Sequence, residues 1–297
     1  MIRCLLVGLI FFISINTVSA QSATNVVVSI RPIHSIVSAL MEGVSEPRLL
    51  LDSNESAHTF HLKPSQLKLL SNADLLITIG DSFESGLSKV IRNIDQNYRL
   101  NLSEIKELQI YDFRDHNEIE HDEHDEHDKD LHLWLDVGNV QIIAEKIKQK
   151  LIEINPSNKE KYNTNYLELK SKLNQLEEKI QFQLEPIKST PFAIYADILQ
   201  YFEKNFDLNK PVIIAPYHGA RLSINRVIKA KNKMKNQKTR CLIYGSENTS
   251  KQINVLTEGL DIKAHSVDIL GVKLEPGSEQ YFDLMKEISN QLASCLE

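Results

Sequence analysis

A chain of 297 residues with a formal net charge of −6 is long enough to bury a core, and its length favours two domains. It carries no basic stripe that would track a phosphate backbone, which excludes nucleic acid as a partner. The acidity is local: segment 112–130 sets ten carboxylates against the two cations Arg114 and Lys129, a net −8, and the rest of the chain is close to neutral.

At the N-terminus Arg3 precedes an apolar run from Cys4 to Ile15, and Val18-Ser19-Ala20 places small residues at −3 and −1 of a cut before Gln21. Residues 1–20 therefore read as a cleaved signal peptide. The run is too short to cross ~30 Å of hydrocarbon as a helix, and no later stretch approaches ~18 consecutive apolar residues. The mature chain is expected outside the cytoplasm.

Val26 to Ile30 reads as a strand, followed by a helix that Pro32 opens and that carries Ile33, Ile36, Val37, Leu40 and Met41 on one face. Arg48 to Leu51 is a short strand, Pro64 to Ser71 a short helix, and Leu75 to Ile79 a third strand ended by Gly80. Leu87, Val90, Ile91 and Ile94 mark another amphipathic helix. Asp136 is placed to cap a helix that runs to about Ile154, where Asn155-Pro156 stops it. From Ser157 to about Leu184 the chain is highly charged and free of glycine and proline, which predicts a helix of ~40 Å. Phe192 to Tyr195, Val212 to Ile214, Arg240 to Tyr244 and Lys263 to Val267 read as further strands with helices between, and a last helix runs from Ser278 to Cys295. Strands separated by helices predict parallel sheets. The expected fold is α/β: two lobes, each a mostly parallel sheet flanked by helices, joined by one long rigid helix. The expected boundaries are 21–156 for the N-terminal lobe, 157–185 for the linking helix and 186–297 for the C-terminal lobe.

The mature chain keeps Cys241 and Cys295. In an oxidising compartment an even pair is most simply a disulfide, and two buried free thiols are the alternative. A bridge closing so long a loop could stabilise by roughly 3–4 kcal/mol in the chain-entropy model.

Open parallel sheets bind ligands beyond the carboxyl ends of their strands. His34 follows the first strand there, His58 and His61 lie in the loop after the second, and His132 leads into the Asp136 helix. In the second half His218 follows the strand ending at Ile214, and Asp268 directly follows Val267. A lone histidine is more often structural, but imidazoles and a carboxylate converging on one crevice suit zinc. The run HNEIEHDEHDEHDKDLH, with His116, His121, His124 and His127, has the low complexity of a disordered loop. It is either a solvated acidic loop or a flexible arm that collects metal loosely, and the density of imidazoles favours the arm. There is no HExxH, no GxSxG and no plainly placed general base, so binding is expected and catalysis is not.

These segments, in order, make the chain resemble the ABC-transporter receptors for zinc and manganese, and within them the zinc-uptake (ZnuA-like) type. SIRPIHSIVSALMEGV looks like the opening strand and helix of that family, and SAHTFHLKPSQLKLLSNADLLITIG like its first ligand loop. The acidic histidine run followed by HLWLD is the most specific match, and QYFEKNF with YFDLMKEISNQLASCL completes the second lobe. The resemblance implies a monomeric periplasmic solute-binding protein that captures zinc, or less favourably manganese, between its lobes. It would deliver the ion to an ABC permease and its ATPase. It places His58 and His132 on the metal, matches Asp268 to a carboxylate ligand of several relatives, and matches Cys241–Cys295 to a disulfide of some zinc-type members. The sequence also departs from the pattern. Ala196-Asp197 stands where the family has His-Asp, Ala57 where zinc members often have glutamate, and Gly245-Ser246-Glu247 where Glu-Pro-Gln is expected. Asp268 and His218 are the candidates to make good the missing histidine. The alternative functions are a periplasmic zinc buffer or metallochaperone, or a receptor for another divalent ion.

Overall fold

A computed structural model of the chain describes residues 24–51, 62–114, 129–215 and 222–297. The expected signal peptide lies outside the described residues. Val26, Val27 and Val28 are buried completely, as a strand covered on both faces requires. They form β1 (Val26–Val28), which pairs in parallel with β2 (Arg48–Leu49) and β3 (Leu75–Thr78), while β4 (Arg99–Asn101) pairs in parallel with β3. The order of this first sheet is β2-β1-β3-β4.

Next come β5 (Tyr111–Asp112) and β6 (Lys129–Asp130), a separate antiparallel pair with Tyr111 opposite Asp130 and Asp112 opposite Lys129. The two ends of the acidic segment are thus paired backbone and not loop. His116, His121, His124 and His127, between those ends, lie outside the described residues. The second sheet contains β7 (Phe192–Ala196), β8 (Val212–Ala215), β9 (Cys241–Gly245) and β10 (Lys263–Val267), all parallel, in the order β10-β9-β7-β8.

The helices are α1 (Arg31–Leu40), α2 (Pro64–Ser71), α3 (Ser88–Ile91), α4 (Val137–Ile154), α5 (Lys159–Leu184), α6 (Gln200–Asn205), α7 (Ile224–Asn236), α8 (Ser250–Thr257) and α9 (Gln280–Leu296). The Asp136 side chain accepts the backbone N–H of Asn139 and so caps α4 as expected. The long helix α5 buries one stripe: Tyr162, Asn165, Leu169, Leu173, Leu176, Ile180 and Leu184. That three- and four-residue spacing is a single helix face. Near its start Asn165 Nδ2 donates to the carbonyls of Leu40 and Glu42, both at 2.9 Å, satisfying the end of α1. Near its other end Gln183 bonds Asn290 and Ser289 of α9. One helix therefore fastens to both halves, as the glycine-free, proline-free stretch predicts.

Cys241 opens β9 and Cys295 sits near the end of α9, and the two form a disulfide with a Cα–Cα distance of 5.4 Å. The free-thiol alternative is set aside. Among the described residues no helix is long and apolar enough to cross a membrane.

Candidate metal site

The two halves of the chain meet along a seam of hydrogen bonds between helices and loops. Ser35 of α1 donates to the carbonyl of Ser278 at 3.1 Å and accepts the N–H of Tyr281 at 2.9 Å, and Arg31 Nη1 donates to the carbonyl of Leu274 at 3.1 Å. Trp134 Nε1 donates to the carbonyl of Ile269 at 2.8 Å, and Tyr281 returns its hydroxyl to the carbonyl of Trp134 at 2.9 Å. Residues two positions after His132 and one position after Asp268 are thereby joined directly.

His132 is buried and packs edge-on against the rings of Phe83 and Trp134, whose centroids lie 5.9 and 5.4 Å from its own. Its Nδ1 lies 2.7 Å from Asp130 Oδ1, and the same oxygen accepts the His132 backbone N–H at 3.0 Å. An ionised carboxylate only accepts, so the ring proton belongs on Nδ1 and the metal-binding nitrogen would be Nε2. Burial alone would raise the Asp130 carboxyl, but the neighbouring His132 and the hydrogen bonds from His132 and Gln200 overturn this and hold it below its ordinary value.

Asp268 stands directly after β10, as expected, at the turn that Gly271 makes with φ +63°. Its carboxylate accepts three backbone N–H groups, from Leu270 at 3.1 Å, Gly271 at 2.9 Å and Val272 at 2.7 Å. A carboxylate has about four acceptor positions, so one remains for a cation. Ala196 is the buried last residue of β7, opposite Ala215 of β8. The next residue, Asp197, forms a two-pronged pair with Arg114, accepting from Nε at 2.8 Å and from Nη2. Arg114 also reaches Glu203, with Nη1 at 2.6 Å from Oε2.

His58 and His218 lie outside the described residues. Among the described residues no three metal-donor side chains come together. His34 is a structural histidine: its Nε2 lies 3.2 Å from the carbonyl of Pro47 and its Nδ1 faces Ser38.

Four residues that carry this region escaped the sequence reading. Asp130 had a local signal, an acid two positions before the histidine of HLWLD. Arg114 and Gln200 had none, since their partners lie 70 to 89 residues away. Glu84, which follows Phe83, is fully buried across the carboxyl ends of β1 and β3. It accepts from Ser29 Oγ at 2.5 Å, from the Ile79 N–H at 2.9 Å and from the Gly80 N–H at 2.8 Å. Burial pushes its carboxyl up to about 7 against those bonds.

A family model described as zinc-uptake complex component A, periplasmic (ZnuA), matches residues 26–295. The high-affinity zinc uptake system protein of Brucella abortus (strain 2308) is 30% identical, with 93% of each chain covered. That of Yersinia pestis is 27% identical over 92% of this chain and 91% of its own. Among solved structures, a crystal structure of ZnuA superposes with a TM-score of 0.77 at 18% identity, covering 93% of this chain and all of that one. The manganese-bound periplasmic metal binding protein of Candidatus Liberibacter asiaticus superposes with a TM-score of 0.77 at 18% identity, covering 92% and 100%. At such identities the superpositions speak for the fold.

Proposed function

The chain belongs to the periplasmic zinc-uptake complex component A family, and on that premise we propose that it captures zinc in the periplasm and delivers it to an ABC-type importer. The observation that carries the site reading is His132: a buried imidazole inside HLWLD, held by Asp130 with Nδ1 and set on the seam between the two halves. A neutral imidazole oriented by a carboxylate is the arrangement that zinc-binding histidines use. His58, placed by its match to the first ligand loop, is the second ligand, and Asp268 supplies an oxygen from the other side of the seam. His218 is the further candidate from the second half. The acidic run with His116, His121, His124 and His127 collects ions loosely. The leader 1–20 is removed on export, the mature protein works as a monomer, and its partners are a permease and an ATPase. Its work is capture and release of an ion, with no bond made or broken in a substrate.

Manganese is the second reading, and Ala196 is the observation that favours it. Alanine where relatives carry histidine shifts the donor set toward the harder oxygen of Asp268, and harder ligands favour harder ions.

Zinc titration against a competing chelator tests the reading. The wild-type protein should show one tight step, weakened by orders of magnitude in His58→Ala and in His132→Ala. Equal affinity in all three proteins would remove both residues from the site.

A further inference from the structure

We propose that the second half of the chain positions the metal-binding histidine from behind, with Gln200 acting through Asp130 to set the orientation and tautomer of His132. This rests on the reading of His132 as a ligand.

Gln200 opens α6, and its Nε2 donates to Asp130 Oδ2 at 3.2 Å and to the carbonyl of Asp112 at 3.0 Å. The neighbouring Tyr201 donates its hydroxyl to the carbonyl of Asp130 at 2.6 Å and accepts the Tyr111 N–H at 3.2 Å. Two consecutive residues of one short helix thus hold both strands of the β5–β6 pair. Asp130 is buried completely, so its two oxygens have fixed duties. Oδ1 takes the ring and backbone of His132, and Oδ2 takes Gln200. Such a carboxylate cannot turn to serve one neighbour without releasing the other. Arg114 clasps the same two segments, reaching from just beyond β5 to Asp197 and Glu203, on either side of Gln200.

The geometry gives the second half a part in metal binding that needs no ligand at Ala196. It orients a donor carried by the other half. Withdrawing α6 would free Oδ2, let Asp130 turn and release the imidazole from its single orientation. Separation of the two halves and loosening of the ion would then be one event.

The test reads the tautomer of His132 in the metal-free protein, by nitrogen-15 correlation of its imidazole, alongside zinc affinity. In the wild type the proton should sit on Nδ1. Asp130→Ala should shift the proton toward Nε2 and weaken zinc roughly 10–100-fold, the usual loss when a partner behind a metal ligand is removed. Gln200→Met keeps the length and packing of the side chain but removes its donor. It should move the His132 nitrogen signals and weaken zinc several-fold, and the melting temperature should fall as well, because the Asp112 carbonyl and Asp130 Oδ2 lose their donor. If Asp130→Ala fails to fold, Gln200→Met decides alone. Unchanged nitrogen signals in Gln200→Met, whatever its zinc affinity, overturn the positioning role. If zinc binding is lost in His132→Ala at the same time, the ligand reading still stands. Unchanged zinc affinity in His132→Ala would instead remove the ligand reading, and the positioning role with it.

Discussion

Trp134 donates its indole N–H to the carbonyl of Ile269 at 2.8 Å, and so ties the segment carrying His132 to the turn carrying Asp268. Trp134→Phe keeps an aromatic ring but leaves that carbonyl unpaired, a cost of about 1–3 kcal/mol. Denaturant unfolding should show this loss, and zinc affinity should fall with it because the two donors lose their common fastening. A variant that is destabilised but binds zinc as tightly as the wild type would show that the seam does not align the site.

The Glu84 carboxyl is pushed up to about 7 by burial, whereas in the unfolded chain it titrates near its ordinary value of 4.5. Between those values the folded state holds the extra proton, so stability from this group is complete below about 4.5 and is lost as pH rises through about 7. Protonation is accommodated because the Ser29 hydroxyl can reverse and accept. Melting temperatures of wild type and Glu84→Gln across this range should diverge in slope, with the flatter profile in the variant. Parallel profiles would mean that Glu84 does not titrate on folding.

Arg114 is the cation between Asp197 and Glu203, both buried. Arg114→Leu strands the two carboxylates and should cost about 3–5 kcal/mol. Burial already raises the Glu203 carboxyl to about 7 against the opposing pull of Arg114. Removing the guanidinium raises it further, so the penalty should grow with pH. Arg114→Lys should rescue only in part, since an ammonium keeps the charge but lacks the planar two-pronged grip on Asp197. Full stability in either variant at neutral pH would contradict this account.

Ala196, where the resemblance implies a histidine, pairs in register with Ala215 of β8. Ala196→His should tighten zinc and sharpen its preference over manganese, and Asp268→Ala should weaken zinc. The second change also strips three backbone N–H groups of their acceptor, so its melting temperature should fall as well. Competition titrations with both ions on both variants check this, and affinities that stay put in Ala196→His would place the site away from β7.

The parallel sheets and the long helix were legible because their signals are local: buried valine runs, proline starts, an aspartate cap and an unbroken helical stretch. α2, the Asp136 cap and β10 fall on the residues expected for them. The β5–β6 pair was hidden, because two-residue strands flanking a charged run carry no periodicity, and what stabilises them comes from α6, far along the chain. Of the site, histidine and aspartate positions after strands could be nominated from sequence. The carboxylate behind His132, the glutamine behind that and the guanidinium beside them belong to tertiary packing. No spacing rule brings Gln200 to Asp130.

The short antiparallel pair at Tyr111–Asp112 and Lys129–Asp130 has a consequence for how such proteins change over generations. Everything between its strands is closed off at one neck, and lengthening a closed segment is cheap, about 0.6 kcal/mol for each doubling. Insertions, deletions and histidine repeats between Asp115 and Asp128 are therefore nearly neutral for folding, while a single change at Asp130 or Arg114 is not. Variation should pile up inside the neck and stop abruptly at it. The length and histidine content of this segment can then change by replication slippage alone, with the rest of the fold untouched.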